Sequence, residues 1–118
     1  MAAPNIVNVS TITAKTALVA VTTSVSSLLT NSANSGTVLK INSISYANYT
    51  AAPVTGTAAI LRSAATHYLV GNVSIPANST LIVTGKDTAF YLEEGDAIQG
   101  SASSNSALSA VIAYEIIS

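Results

Sequence analysis

The sequence predicts an all-β fold, a single antiparallel β-sandwich of about eight or nine strands, jelly-roll or Greek-key in kind. Three observations lead there. Short apolar runs recur at intervals of roughly ten residues from residue 5 onward, the spacing of a sandwich or barrel. Turn chemistry separates them, at residues 31–36, 76–78, 85–87 and 94–96. Helix signals are sparse: Ala58-Ala59 and Ala64-Ala65 are flanked by Thr, Ser and Gly rather than by caps and a 3.6-residue stripe. One short helical turn is the most that such spots suggest.

In chain order, a strand is expected over residues 5–12, after Pro4, and a second over residues 16–25. The second places Ala17, Val19, Val21 and Val25 on an inward face and Leu18, Ala20, Thr22 and Ser24 on the other. Residues 31–36 form a turn. The strand at residues 37–46 slips in phase: Leu39 and Ile41 share one face, Ile44 and Tyr46 the other. Such a slip marks a β-bulge near Asn42-Ser43 or a strand crossing between sheets. Residues 46–56 read as loop or edge, because Pro53 cannot donate to a ladder. Strands follow at residues 56–63 and 67–75, the latter with Leu69, Val73 and Ile75 on its apolar face and Gly71 thinning its middle. Further strands are expected at 80–84, 88–92 and 97–102. The last, residues 108–117, alternates most cleanly, with Leu108, Ala110, Ile112, Tyr114 and Ile116 on one side. Its other side carries Val111, Ala113 and Ile117 beside Glu115. A strand apolar on both faces is central, or its outer face meets another subunit.

Length and composition set the class. At 118 residues, the chain suits one domain, residues 1–118, with a short N-terminal arm. Of its residues 49% are apolar, but twenty of them are alanine, and seventeen serines and fourteen threonines accompany them. Four basic and five acidic side chains leave a net charge of −1. Low charge with high apolarity is the reverse of disorder. The surface must then be largely Ser, Thr, Asn and Ala, weakly repulsive toward copies of itself and suited to packing against neighbours. A compact secreted module with a polar, uncharged skin is the plainer alternative.

Several classes are excluded. Lys15, Lys40, Arg62 and Lys86 stand singly, whereas nucleic-acid binders cluster their basic residues. Cysteine is absent, so no disulfide frame, thiolate nucleophile or zinc knuckle is expected. The first fifteen residues have no basic, apolar export pattern. The greasiest stretch, residues 17–29, is broken by Thr and Ser and too short to span a bilayer. A protein made in the cytoplasm, with no membrane and no nucleic acid among its partners, is expected.

No motif carries chemistry. Glu93, Glu94 and Asp96 around Gly95 are the densest charge; they could hold a cation such as Ca²⁺, but match no EF-hand spacing and fit a turn. Carboxylates on one turn do not face each other across a cleft, as glycoside hydrolysis needs. His67, the only histidine, has no G-x-S-x-G elbow to serve. Gly85-Lys86 lacks both the upstream glycine of a phosphate loop, where Thr80 stands, and its hydroxyl, where Asp87 stands. Sequons at Asn8, Asn48, Asn72 and Asn78 are expected by chance in such a composition. The expectation is a non-enzyme with no cofactor, no metal and no catalytic residue. Tyr46 and Tyr49, beside the Pro53 loop, read as interface residues, sugar-stacking residues or plugs of the sandwich end. Leu28-Leu29 is a second interface candidate, or the core end of its strand.

From residue 75 on, the order IPANST, LIV, GKD, FYLEEGD, VIAYEII resembles small virion structural proteins of tailed phages, notably those of marine cyanobacteria. The opening, APNIVNVSTITAKTALVAVTTSVSSLLTNSANSGTVLKINSI, is similar too; residues 46–66 are the least alike. The resemblance implies a capsid decoration (cement) protein, with a tail or fibre component as the alternative, and brings no catalytic residue. It implies a homo-oligomer, a trimer by preference, bound to the major capsid protein in the virion. Candidate contacts are the arm at residues 2–8, including Ile6, the 46–53 loop with Tyr46, Tyr49 and Pro53, the pair Leu28 and Leu29, and the outer face of the last strand with Val111, Ala113 and Ile117. From another class, a carbohydrate-binding or adhesion module is the rival; it needs aromatics grouped on one concave face, and the chain has five Tyr and one Phe.

Overall fold

Side chains that alternate along a strand can bury only one face, so two such sheets must close on each other. The computed structural model describes residues 11–118. Among these it has nine strands: β1 (Ile12–Val21), β2 (Ser26–Thr30), β3 (Val38–Asn48), β4 (Val54–Arg62), β5 (Ala65–Ile75), β6 (Thr80–Thr84), β7 (Phe90–Leu92), β8 (Ala97–Ala102) and β9 (Leu108–Ile117). One sheet has the order β1-β9-β3-β6, with β7 also paired to β3; the other has the order β2-β8-β4-β5. All pairings are antiparallel. Both β6 and β7 lie along the same edge of β3, so together they act as one interrupted strand. The result is the eight-strand jelly-roll order, an all-β antiparallel sandwich as expected.

The interruption between β6 and β7 is a 3-10 turn at Lys86–Thr88. Thr88 closes it: its N–H donates to Gly85 O, and its hydroxyl accepts from the Gly85 N–H. This is the one helical turn among the described residues, and it sits away from the alanine pairs. Ala58 and Ala59 lie inside β4, and Ala64 lies in the β4–β5 turn.

The phase slip in β3 is a bulge. Its pairing with β9 shifts between Ile41 and Ser43, and β3 stays beside β9 over its whole length, so it does not change sheets. β9 is central, between β1 and β3.

The start of the chain departs from expectation. The strand expected at residues 5–12 lies, except for its end, outside the described residues, as do Ile6 and the arm at 2–8. No break separates residues 12 and 16, because β1 runs unbroken from Ile12 to Val21. Val21 is buried and Ala17 and Val19 pack on the core, but Val25 is 65% exposed. The chain turns at residues 22–25, with the Thr22 hydroxyl donating to Ser24 O and the Thr23 N–H to Asn105 Oδ1. The turn frees Leu28 to enter the core on a separate strand, β2.

The core joins Ile41, Ile44 and Tyr46 of β3 and Leu108, Ala110 and Ile112 of β9 to Leu28, Ala58, Ile98 and Ala102 of the opposite sheet. Tyr46 spans the two layers. Its hydroxyl donates to Thr57 O at 2.9 Å. Gly56 of β4 and Gly100 of β8 make room for it: a Cβ on Gly56 would lie 3.0 Å from Tyr46 Cδ2, and one on Gly100 would strike the Tyr46 hydroxyl and come 2.7 Å from Leu28 Cδ1. The glycines are needed here for close approach.

Two buried asparagines clip the loops. Asn48, ending β3, donates from Nδ2 to Ala52 O, Ile75 O and Pro76 O and accepts at Oδ1 from Thr50. Asn31, after β2, donates to Thr37 O and Leu92 O and accepts from the Ser35 and Thr37 hydroxyls. Each amide thereby satisfies backbone groups that loops leave unpaired.

Candidate functional site

An antiparallel sheet with one solvated face normally reads apolar inward and polar outward. The outer face of the β1-β9-β3-β6 sheet does not. Ile44, Tyr46, Ala110 and Ile112 point into the core, so their neighbours Ser45 and Val111 point out. The register sets Leu18 of β1 against Val111, Val111 against Ser45, and Ser45 against Ile82 of β6. That row is flanked on one side by Thr16, Ala113 and Ser43, and on the other by Ala20, Ser109, Ala47 and Thr80. Leu18 is 75% exposed and Ile82 62% exposed. Exposed Ile12 and Tyr91 extend the apolar character toward the other end.

Among the described residues, charge on this face is confined to one row. There Glu115 lies opposite both Ala14 and Lys40, and Lys40 lies opposite Tyr91. Unlike charges facing each other across strands cancel locally. The rest is neutral, a mixture of apolar side chains with Ala, Ser and Thr. With strands ~4.8 Å apart and ~3.4 Å per residue, β1, β9 and β3, with the shorter β6 and β7 along one edge, span roughly 650 Å². A standard interface buries about 800 Å² per partner.

The candidate contacts fall in several places. Val111 and Ala113 are half-buried in the middle of this face, while Tyr49 and Pro53 are exposed on the β3–β4 loop. Leu28 and Tyr46 are corrections: both are core side chains, and a group spent inside the sandwich offers a partner nothing. Ile117 is also buried, at 6% exposure, and Leu29 is half-buried against the core. Ile6 lies outside the described residues. Sequence reasoning missed Leu18 and Ile82. Alternation places Leu18 on the outward face of its strand, and that is the signal for it; Ile82 is hidden in the run Leu81-Ile82-Val83, where parity cannot be read.

The acidic turn is a structural knot. The Asp96 carboxylate is buried and accepts from Arg62 Nε at 3.0 Å to each oxygen, from Arg62 Nη2 at 2.5 Å and from the Glu93 N–H at 2.9 Å. Glu93 reaches Arg62 Nη2 at 2.9 Å, and Glu94 accepts from the Gly36 N–H. The Asp96 hydrogen bonds, reinforced by the two carboxylate charges, hold the Arg62 guanidinium above its ordinary value. Gly95, at φ 88°, takes the left-handed position of the turn. Among the described residues, no three His, Asp or Glu side chains gather as a metal would require. His67 lines an open cleft of about 480 Å³ with Ile60, Arg62, Phe90, Tyr91 and Glu93; no serine lines it.

Among the described residues, no helix is long and apolar enough to cross a membrane. The chain matches no protein-family model, and no curated protein matches its sequence.

Proposed function

We propose that the chain is a non-enzymatic virion structural protein, a capsid decoration subunit that packs through the outer face of the β1-β9-β3-β6 sheet. The observation that carries this reading is that face: exposed Leu18 and Ile82 stand in one cross-strand row with Val111, among Ala, Ser and Thr. A solvated sheet has no need of such a surface, whereas a subunit that spends its life against neighbours does. The sequence resemblance to tailed-phage virion proteins supports the same reading, as do the low net charge and the jelly-roll order, which recurs in capsid proteins.

The mechanism is mechanical. Copies assemble into a closed ring, a trimer by preference, and seat on the major capsid protein across joints of the shell. A subunit that binds only the assembled shell stabilises it by mass action, by about 2.7 kcal/mol per site at a hundred times the dissociation constant. Light scattering of the purified protein, followed by co-sedimentation with undecorated capsids, tests this. A closed oligomer that pellets with shells is expected; a monomer that stays in the supernatant overturns it.

A further inference from the structure

On the opposite side of the sandwich, the outer face of the β2-β8-β4-β5 sheet holds a groove of about 380 Å³, within the range of small-molecule sites. Its floor is made of small residues. Ala59 of β4, almost fully buried, pairs with Tyr68 of β5 on one side and with Gln99 of β8 on the other. Strand spacing sets Tyr68 and Gln99 about 10 Å apart across it. Gly71 has open space where a Cβ would be.

The walls combine an aromatic with unused polar groups. Tyr68 is 70% exposed. Among the described residues, the Gln99 amide and the Ser101 and Thr66 hydroxyls have no protein hydrogen-bond partner. Asn72 is locked in place. Its N–H donates to the Thr57 hydroxyl, which donates in turn to Asn72 Oδ1 at 3.1 Å, leaving Nδ2 unspent. The lock holds Asn72 at φ 49°, where the β4–β5 register shifts and β5 bulges past Thr57. Among the described residues, no charged side chain lines the groove.

We infer that this groove binds a neutral saccharide, one pyranose ring lying against Tyr68 with its hydroxyls on Gln99, Asn72 and Ser101. A sugar ring has an apolar C–H face for an aromatic and a rim of hydroxyls that both donate and accept. Amides and hydroxyls answer both, and the uncharged lining offers nothing specific to phosphate or carboxylate. For a ligand of this size in an open groove, the dissociation constant is on the order of millimolar.

The test is amide-resolved NMR of the full chain with neutral tetrasaccharides of glucose, mannose and galactose, in α and β linkage, up to about 20 mM. Saturable shifts at Thr57, Tyr68, Asn72 and Gln99 are expected with at least one of them. Tyr68→Ala should weaken binding roughly tenfold and Tyr68→Trp should keep it. No shift with any sugar, shifts mapping elsewhere, or binding indifferent to Tyr68→Ala overturns the inference. So does a change of light-scattering mass in Tyr68→Ala, which would give the groove to a second copy. Capsid co-sedimentation of Tyr68→Ala is expected to match the parent, since the capsid-packing face is on the other sheet.

Discussion

Tyr46 shows how much one side chain can demand of its surroundings. It crosses from β3 to the opposite sheet, and Gly56 and Gly100 are the residues that admit it. Gly100→Ala puts a Cβ against the Tyr46 hydroxyl and Leu28, and overpacking of this kind costs about 1–3 kcal/mol. Urea denaturation should show that loss. Adding Tyr46→Phe should return part of it, because one clashing atom is then gone, and the double-mutant cycle measures the coupling. Burial also raises the Tyr46 phenol above its ordinary value of 10.0 by disfavouring the phenolate. The sign follows: above pH 10 the unfolded chain loses this proton while the folded chain keeps it. Stability is therefore intact below pH 10 and falls by about 1.4 kcal/mol per pH unit above it, until the folded phenol also ionises. Urea midpoints at pH 8 and pH 11 check this, and Tyr46→Phe should flatten that alkaline decline. At neutral pH the same variant should cost about 1 kcal/mol for the lost bond to Thr57 O.

At the scale of elements, the ends of strands depend on interactions that alternation does not encode. β8 and β9 were legible to the residue, because Ala97–Ala102 and Leu108–Ile117 are bounded by unmistakable turn residues. The β3 bulge was legible because a one-residue slip moves Ile44 to the wrong face unless an extra residue is inserted. β2 was not, since alternation reads residues 16–25 as one continuous strand and only tertiary packing places the turn at residues 22–25. The clips Asn31 and Asn48 were equally invisible, since their partners are backbone carbonyls up to 61 residues away. The β4–β5 hairpin carries its own prediction. Its two-residue loop, Ser63-Ala64, has φ 52° and 62°, a left-handed pair that Asn-Gly adopts with less strain. Ser63→Asn with Ala64→Gly should raise stability by about 0.5–1 kcal/mol, read from the thermal midpoint. Just before this loop, Arg62→Ala would strand the buried Asp96 carboxylate and should cost about 2 kcal/mol, Arg62 being itself half exposed. Arg62→Lys should recover only part, because an ammonium cannot fork onto both oxygens.

For the whole molecule, the two sheets present different outer faces to the world. One carries exposed apolar side chains along the Leu18–Val111–Ser45–Ile82 row; the other is grooved and polar around Tyr68. The first face was partly legible, through Val111 and Ala113 on a strand apolar on both sides. Its full extent needed the register, which alone brings Leu18, from the first described strand, into line with Ile82 from the sixth. The decisive variant is Leu18→Lys with Ile82→Lys. Both side chains are exposed and outside the core cluster, so folding stability should change by no more than about 0.5 kcal/mol per site. Assembly should respond quite differently. Two ammonium groups pressed into an apolar contact must be desolvated without partners, and packing against the shell should weaken by at least about tenfold. Co-sedimentation with capsids should fall while the thermal midpoint and the saccharide-induced NMR shifts stay where they were. If the double variant decorates capsids as the parent does, the packing face lies elsewhere, with the exposed Tyr49–Pro53 loop next in line.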